Sequence, residues 1–344
     1  MLVTQQKSLR HFWYPVMPLS HLASGPRPFT LLGEHLVLFM AADGEPAALR
    51  DRCCHRTAQL SLGWCEAGNV VCGYHGWTYD RTGRCVRIPQ QPDSAIPANA
   101  RTRAFECASR YGYVWVALES PYTPIPEFEQ ASDPGFRQID QFYERWTCAA
   151  LRLMENSFDM SHIAYVHRQT FGIREQEQPP LMKITPAEWG LETLVETPVK
   201  NHDETARAVT GSTGEQTVRT MRGTWYMPFI RRLAISYPGG LKHDIITCAT
   251  PIDDASIMVI QWCYRSDTEQ DLPAANAIAF DRAVTLEDKR ILESTEADAC
   301  IDTTRRIEFH MDTDRPGLLM RQKLLELFRR DGDEEHFGPS FAEL

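Results

Sequence analysis

The feature that most constrains this chain is a pair of short segments, Cys53-Cys54-His55 and Cys72-Gly73-Tyr74-His75, with sixteen residues between them. Each supplies one thiolate and one imidazole, so a fold that uses all four must bring two loops into contact. Gly63, Gly73 and Gly76 stand where such loops need to turn tightly. Two sulfurs and two ring nitrogens suit a 2Fe–2S cluster in which Cys53 and Cys72 hold one iron and His55 and His75 the other. The competing reading is a structural zinc site, but zinc fingers usually pair Cys with Cys and His with His along the chain, whereas here they alternate. Cys54 is expected to face away from the ligands in an extended loop, as a packing residue or free thiol. Cys65 and Cys85 read as buried thiols.

The surrounding sequence, residues 29–118, carries short apolar runs such as Leu36-Val37-Leu38-Phe39 and Tyr113-Val114-Trp115-Val116-Ala117-Leu118, divided by Gly- and Asp-containing turns. This spacing predicts a small antiparallel β domain. Residues 119–136 contain four prolines, which block regular pairing and mark the expected boundary between domains 1–120 and 121–344. Beyond it, 148–166 and 274–297 lack Gly and Pro and read as helices, Leu318–Phe328 as a final amphipathic helix, and 181–265 as strands. The expected class is α+β: an all-β N-terminal domain, then a domain with a central antiparallel sheet flanked by helices.

A second constellation lies in the predicted helix. Asn156, Asp159 and His162 recur every three residues and would share a stripe. His167 falls about 140° away on an ideal helix, so the helix must distort there or end and turn back. Two histidines and one carboxylate form the facial triad of non-haem iron(II) sites, whose open positions admit oxygen beside substrate. The carboxylate must come from elsewhere. Asp281 and Asp288 are seven residues apart on one predicted helix face, and spacing does not choose between them.

The net charge is −10, which argues against a nucleic-acid binder, whose affinity rests on neutralising phosphates. Between Arg50 and Trp115 nine basic residues face five acidic ones, a local +4 that suits an acidic protein partner. No apolar run reaches the length of a membrane span, and no apolar stretch follows Lys7 as in a secretory signal. With ten cysteines and neither signal, the chain reads as cytoplasmic with reduced or metal-bound thiols. Met221, Trp225, Phe229, Tyr237, Ile245, Ile260 and Trp262 are apolar enough to line a pocket, although core is the commoner use of such residues. Arg222, Arg231 and Lys242 read as solvated charges, with binding of a substrate carboxylate as the alternative.

Taken together, Asp51-Arg52-Cys53-Cys54-His55-Arg56, Cys72-Gly73-Tyr74-His75-Gly76-Trp77-Thr78-Tyr79 and the Asn156–His167 segment resemble the Rieske non-haem iron oxygenases, in the order that family uses. The resemblance runs from Leu9-Arg10-His11-Phe12-Trp13 to Arg315-Pro316-Gly317. It implies a Rieske 2Fe–2S cluster and mononuclear Fe(II), with His162, His167 and Asp288 as iron ligands. It also implies that Asp159 bridges an iron-ligand histidine to a cluster histidine of a neighbouring subunit, in a homotrimer. Asn156 matches a position near the iron. The implied partners are a ferredoxin or flavin reductase as electron donor, O2 and a small-molecule substrate, with no nucleic acid and no membrane. Many relatives carry Pro after the first cysteine of each half, where this chain has Cys54 and Gly73; no ligand is lost by that. The length and opening resemble the N-demethylases of methylxanthines and the O-demethylases of vanillate and dicamba, used in aromatic compound metabolism. The expected activity is therefore N- or O-demethylation or hydroxylation of an aromatic, heteroaromatic or alkaloid molecule. A ring cis-dihydroxylating dioxygenase, or a Rieske electron-transfer protein without oxygenase activity, stands as the alternative.

Overall fold

The computed structural model of the protein describes residues 1–297 and 299–338. The chain forms two compact units, Leu9–Ile125 and Met1–Ser8 with the chain from Pro126 onward, so the division falls inside the proline-rich stretch. Met1–Ser8 departs from the expected 1–120 assignment for a local reason. Thr4 bonds Asp254 through its amide and hydroxyl (2.9 and 2.7 Å), and the Ser8 amide donates to Asp333 (3.1 Å).

The Leu9–Ile125 unit is all β. Strands β1 (Tyr14–Pro18), β2 (Arg27–Leu31), β3 (Glu34–Met40), β4 (Pro46–Arg50), β9 (Ala104–Arg110) and β10 (Tyr113–Ala117) form one antiparallel sheet, in the order β1-β10-β9-β4-β3-β2. Between β4 and β9 the chain inserts a smaller sheet of β5 (Trp64–Glu66), β6 (Asn69–Val71), β7 (Thr78–Tyr79) and β8 (Cys85–Arg87). Val37, Phe39, Leu49, Val70 and Tyr79 pack in one fully buried core with Cys53 and Cys72 at its edge. The two cysteine loops close in the same way. The Thr57 amide returns to the Cys53 carbonyl (3.0 Å) and the Gly76 amide to the Cys72 carbonyl (2.9 Å). Both closing residues have positive φ, 59° at Thr57 and 73° at Gly76, the conformation glycine adopts without strain. A side chain on Gly63 would collide with the Val71 carbonyl, so glycine there lets the two loops meet. Asp51, buried, accepts from the amide and hydroxyl of Ser61 (2.8 and 2.6 Å) and anchors the first loop.

The second unit carries a seven-stranded antiparallel sheet. Its strands are β11 (Arg137–Trp146), β12 (Lys183–Ala187), β13 (Gly190–Lys200), β14 (Gln216–Tyr226), β15 (Ile230–Ser236), β16 (Lys242–Pro251) and β17 (Ile257–Arg265), ordered β11-β17-β16-β15-β14-β13-β12. Helices α1 (Ala150–Phe158), α2 (Ile163–Val166), α3 (Glu204–Thr210), α4 (Ala274–Leu292) and α5 (Arg315–Arg330) accompany it. The expected α+β class holds, with two local differences. The helix predicted over 148–166 ends at Phe158, because Asp159 turns to extended backbone (ψ 129°) and its carboxylate captures the Ser161 amide (2.6 Å). The 274–297 helix ends at Leu292.

Helix α1, packed on β15 and β16, is fixed from behind by α5. Arg321, 3% exposed, bonds both carboxylate oxygens of Glu155, Glu308 (2.6 Å) and the Cys300 carbonyl (2.6 Å). Replacing Arg321 with Met leaves the partly buried Glu155 and Glu308 with Arg152 as their one remaining cation among the described residues. We expect a loss of about 3 kcal/mol, read in calorimetry as a fall of roughly 6–12 °C in the transition of this unit. A change within 1 °C would show that Arg321 is not what holds α1.

Candidate active site

Where α1 ends, the chain makes a tight turn and re-enters a helix at Ile163, with His162 at its start and His167 just past its end. The break resolves the spacing problem: His167 is brought back beside His162 by a turn rather than by a continuous stripe. The two Nε2 atoms lie 3.1 Å apart. Helix α4 then brings Asp288, whose Oδ1 is 3.2 Å from the Nε2 of His167 and 3.5 Å from that of His162. Donor atoms about 2.1 Å from a first-row metal and at right angles to one another sit roughly 3 Å apart. The triangle therefore has the size and donor set of a two-histidine, one-carboxylate iron site.

Each donor is oriented from behind. Nδ1 of His162 faces Asp159 Oδ2 at 3.3 Å, and Nδ1 of His167 faces Glu287 Oε2 at 2.9 Å, which also accepts from Thr170 (2.7 Å). Asn156 donates to Asp288 Oδ1 (3.3 Å), and Phe171 stacks on His167 with centroids 4.8 Å apart. Burial would pull the His167 ring down, but hydrogen bonds and charge from Asp288 and Glu287 outweigh it and raise it to about 9. Burial likewise favours the neutral Asp288 acid, yet the His167 and His162 rings hold its carboxyl below the usual range. Asp159 is lowered too, its burial outweighed by His162 and Ser161.

Asp281, two turns earlier on α4, goes elsewhere. It faces His243 Nε2 at 3.2 Å and is bonded by Gln141, whose amide also donates to Cys263 Sγ (3.3 Å). His243, Cys263 and Asp281 also bring ligand atoms within 4.8 Å of one another. Gln141 already occupies two of these atoms, so this group is closed by an amide rather than open to an ion.

The triangle opens on a cavity of about 110 Å³. Register places its floor on one face of the sheet: Met221 and Ile235 pair across β14 and β15, Leu233 and Ile245 across β15 and β16. Phe280, Val284 and Thr285 of α4 close the opposite side. Of the pocket candidates named from sequence, Met221, Tyr237 and Ile245 reach this cavity. Trp225, Phe229, Ile260 and Trp262 are buried core. Arg222 and Lys242 are surface charges, Arg222 beside Glu192. Arg231 is not: it is enclosed by protein and keeps part of its surface open to the cavity.

In the β unit, the Cys53 and Cys72 thiols interact directly, and the amides of Tyr74 and His75 point at the Cys72 sulfur. Burial and the neighbouring Cys53 raise the Cys72 thiol above its ordinary value in spite of those amides. The His55 and His75 rings lie edge to face at 4.7 Å, and Trp77 stacks flat on His55 (4.6 Å, 6°). The Nδ1 of His55 is buried without a hydrogen-bond partner, as a nitrogen reserved for a metal would be. Two adjacent thiols with two convergent rings fit a 2Fe–2S group of mixed ligation. Cys54 does not face away as expected. Its loop is a turn, and the Tyr79 hydroxyl meets both the Cys53 and Cys54 sulfurs (3.0 and 3.3 Å) and accepts from the Cys54 amide (3.2 Å). Cys85 is buried in the core and Cys65 packs partly buried against it. Glu287, Trp77 and the Tyr79 hydroxyl escaped the sequence reading. The only signal for Glu287 was its place next to Asp288; the other two sit inside a quoted motif without ligand chemistry.

Residues 12–106 match the Rieske [2Fe-2S] domain, and residues 146–330 match the vanillate O-demethylase oxygenase C-terminal domain. The methylxanthine N1-demethylase NdmA of Pseudomonas putida is 34% identical over 301 residues, 84% of this chain and 82% of the relative. The N3-demethylase NdmB of the same organism is 31% identical over 306 residues, 85% and 83% of the two chains. The solved structure of P. putida CBB5 NdmA with caffeine covers 96% of this chain and 94% of its own, with a TM-score of 0.82 at 30% identity. Dicamba monooxygenase bound to dicamba shares the fold, with a TM-score of 0.80 at 23% identity over 94% of this chain and 98% of that one. No helix among the described residues is long and apolar enough to cross a membrane. Both domain matches, and relatives similar along more than four fifths of the chain, make this protein a member of the Rieske non-haem iron oxygenases: an oxidoreductase that uses O2, carries a 2Fe–2S cluster and a mononuclear iron, and works on a small molecule with electrons from a partner protein.

Proposed function

We propose that the chain is a monooxygenase that removes an N- or O-methyl group from a small aromatic or heteroaromatic molecule. In this reading His162, His167 and Asp288 hold the iron, and Cys53, Cys72, His55 and His75 hold the cluster. The observation that carries it is the oriented triangle opening on a cavity with Met221, Leu233, Ile235 and Ile245 on its floor and near the size that holds one aromatic ring. The N-demethylase names of NdmA and NdmB support methyl removal.

When bound, the metal groups supply the oxidation, in which a methyl group, O2, two electrons and two protons give the demethylated product, formaldehyde and water. The chain's own residues do the positioning. Asp159 and Glu287 engage the Nδ1 atoms of His162 and His167 and so turn both Nε2 atoms toward the cavity. Asn156 steadies the Asp288 oxygen on the same side. Met221, Leu233, Ile235 and Ile245 keep the floor beside the reacting methyl dry. Asp159 also bridges to a cluster histidine of a neighbouring subunit in a homotrimer. Its partly exposed carboxylate, 32% accessible on the side chain, supports this by leaving an oxygen edge for such a contact. The basic stretch 50–115 docks a ferredoxin or flavin reductase, and ten cysteines without a disulfide, two of them cluster ligands, suit the cytoplasm.

Anaerobically reduced protein exposed to O2 with a panel of methoxy- and N-methyl-aromatics tests the activity. Loss of one methylene unit with one formaldehyde is expected. A gain of two oxygens and two hydrogens would make it a ring dioxygenase instead. Asp288→Ala is expected to lose mononuclear iron while acid-labile sulfide stays, and Asp281→Ala to keep both. The reverse pattern would transfer the ligand role to Asp281. Glu287→Ala should weaken iron binding by roughly 10–100-fold in a chelator competition; unchanged retention would remove its orienting role. Asp159→Asn should keep both metals yet nearly stop turnover, and undiminished turnover would refute the bridge.

A further inference from the structure

Cys53 and Cys54 share one phenol, yet only Cys53 has a place among the cluster ligands. Tyr79, fully buried on β7, puts its hydroxyl 3.0 Å from the Cys53 sulfur and 3.3 Å from the Cys54 sulfur. The Cys54 amide donates to the same oxygen (3.2 Å). The neighbouring buried thiol, Cys85, is spent on the Arg87 carbonyl (3.4 Å). The Cys54 sulfur has no hydrogen-bond partner other than the phenol among the described residues. Burial beside the two thiols pushes the Tyr79 pKa far above its ordinary value, so the hydroxyl keeps its proton.

Counting protons orders these contacts. A tyrosine hydroxyl has one hydrogen to give and two lone pairs to receive. Cys53, as a ligand thiolate, only accepts, so the phenol's hydrogen goes to its sulfur. The Cys54 amide fills one lone pair. The Cys54 sulfur then meets an oxygen whose hydrogen is already given, and their contact is a bond only if the thiol hydrogen points at the second lone pair. The result is a directed chain, from Cys54 S–H to the Tyr79 oxygen and from Tyr79 O–H to the Cys53 sulfur. Bonds received by a hydroxyl polarise it and strengthen the bond it gives, by roughly 10–30% each. A donor to ligand sulfur favours the state with more negative charge there, which is the reduced one. Proline at this position, carried by many relatives, has neither N–H nor S–H and supplies no such bond.

We propose that Cys54 is a positioning residue for electron transfer: its thiol and amide hold the Tyr79 hydroxyl on the Cys53 sulfur, and so raise the cluster's reduction potential above what the phenol alone would set. This rests on Cys53 being a cluster ligand, as in the proposed ligand set. It gives the second cysteine of Cys53-Cys54-His55 a task that neither metal ligation nor core packing supplies.

Potentiometric titration of the iron-loaded full chain tests it. Tyr79→Phe should lower the one-electron reduction constant about tenfold, or about 59 mV. Cys54→Ala deletes the thiol but keeps the amide, and should lower it two- to threefold, roughly 18–28 mV. Cys54→Ser, which restores a donor, should return it to within about 1.5-fold of the wild type. In the Tyr79→Phe background Cys54→Ala should have no further effect, because its influence passes through the phenol. Equal potentials for Cys54→Ala and Cys54→Ser overturn the proposal, and so does a Tyr79→Phe potential equal to that of the wild type. An alanine effect that persists without the phenol also overturns it, since packing or solvent would then carry the change. If Cys54→Ala does not load a cluster, Cys54→Val, which also lacks a donor, is compared with Cys54→Ser on the same terms. The ligand set fails separately. Acid-labile sulfide kept by Cys53→Ala and lost from Cys54→Ala would make Cys54 the ligand. Sulfide kept in Cys54→Ala at an unchanged potential would remove the thiol's role and leave the ligands standing.

Discussion

Two consecutive residues of one helix grip His167 from both sides: Glu287 at Nδ1 (2.9 Å) and Asp288 at Nε2 (3.2 Å). Neighbours on a helix diverge by about 100°, so only a ring inserted between them meets both. That arrangement settles which nitrogen of His167 faces the cavity, how far α4 sits from the break after α1, and where His162 must stand to complete the triangle. Phe171 stacked behind the ring removes its remaining freedom. The Arg321 contacts that brace Glu155 then act on the site indirectly, because Asn156, the next residue on α1, reaches Asp288.

The two Cys–His pairs and the two histidines that the structure brings together were legible because their chemistry is unusual and their spacing is short. The class and the inserted β sheet were legible from strand length and turn residues. What was not legible came from backbone events. Nothing in the composition of 148–166 says that the helix stops at Phe158; the stop is made by the Asp159 side chain competing for a nearby amide. The same competition is what lets residues five apart meet, so the misread helix and the unsolved His167 spacing were one error. Asp281 and Asp288 share a helix face as spacing indicates, yet they are sorted by what lies opposite. The buried His243 and the amide of Gln141 face one, and the Nε2 atoms of His162 and His167 face the other.

Cys54 illustrates a different limit. Alternation of side chains presumes an extended loop, but the loop closes on itself through the Thr57 amide, and a turn places consecutive side chains on the same side. The Tyr79 hydroxyl lies beside both sulfurs, and its burial together with those thiols drives its own ionisation far beyond reach. It is therefore held as a neutral phenol beside the Cys53 and Cys54 sulfurs. With Cys53 ligating the cluster as proposed, a phenol 3.0 Å away would donate a hydrogen bond to that thiolate, and hydrogen bonds to ligand sulfur are one of the terms that set a cluster's potential.

The cavity's charges are arranged rather than incidental. The helical side carries the carboxylates of Asp159 and Asp288, each facing a histidine and each held below the usual carboxylate range. The sheet side carries the guanidinium groups of Arg219 and Arg231, and the Nε of each is buried without a hydrogen-bond partner among the described residues. A metal ion accounts for the first set, since it is the positive charge those donors converge on. It does nothing for the second, because a cation does not offset a cation. The two sides thus differ in charge: donors that converge on one point lie on the helical side, and two guanidinium groups lie on the sheet side. Leu233, Ile235 and Ile245 add apolar surface to the same floor, so the cavity offers a small molecule both fixed charge and a dry face beside the triangle.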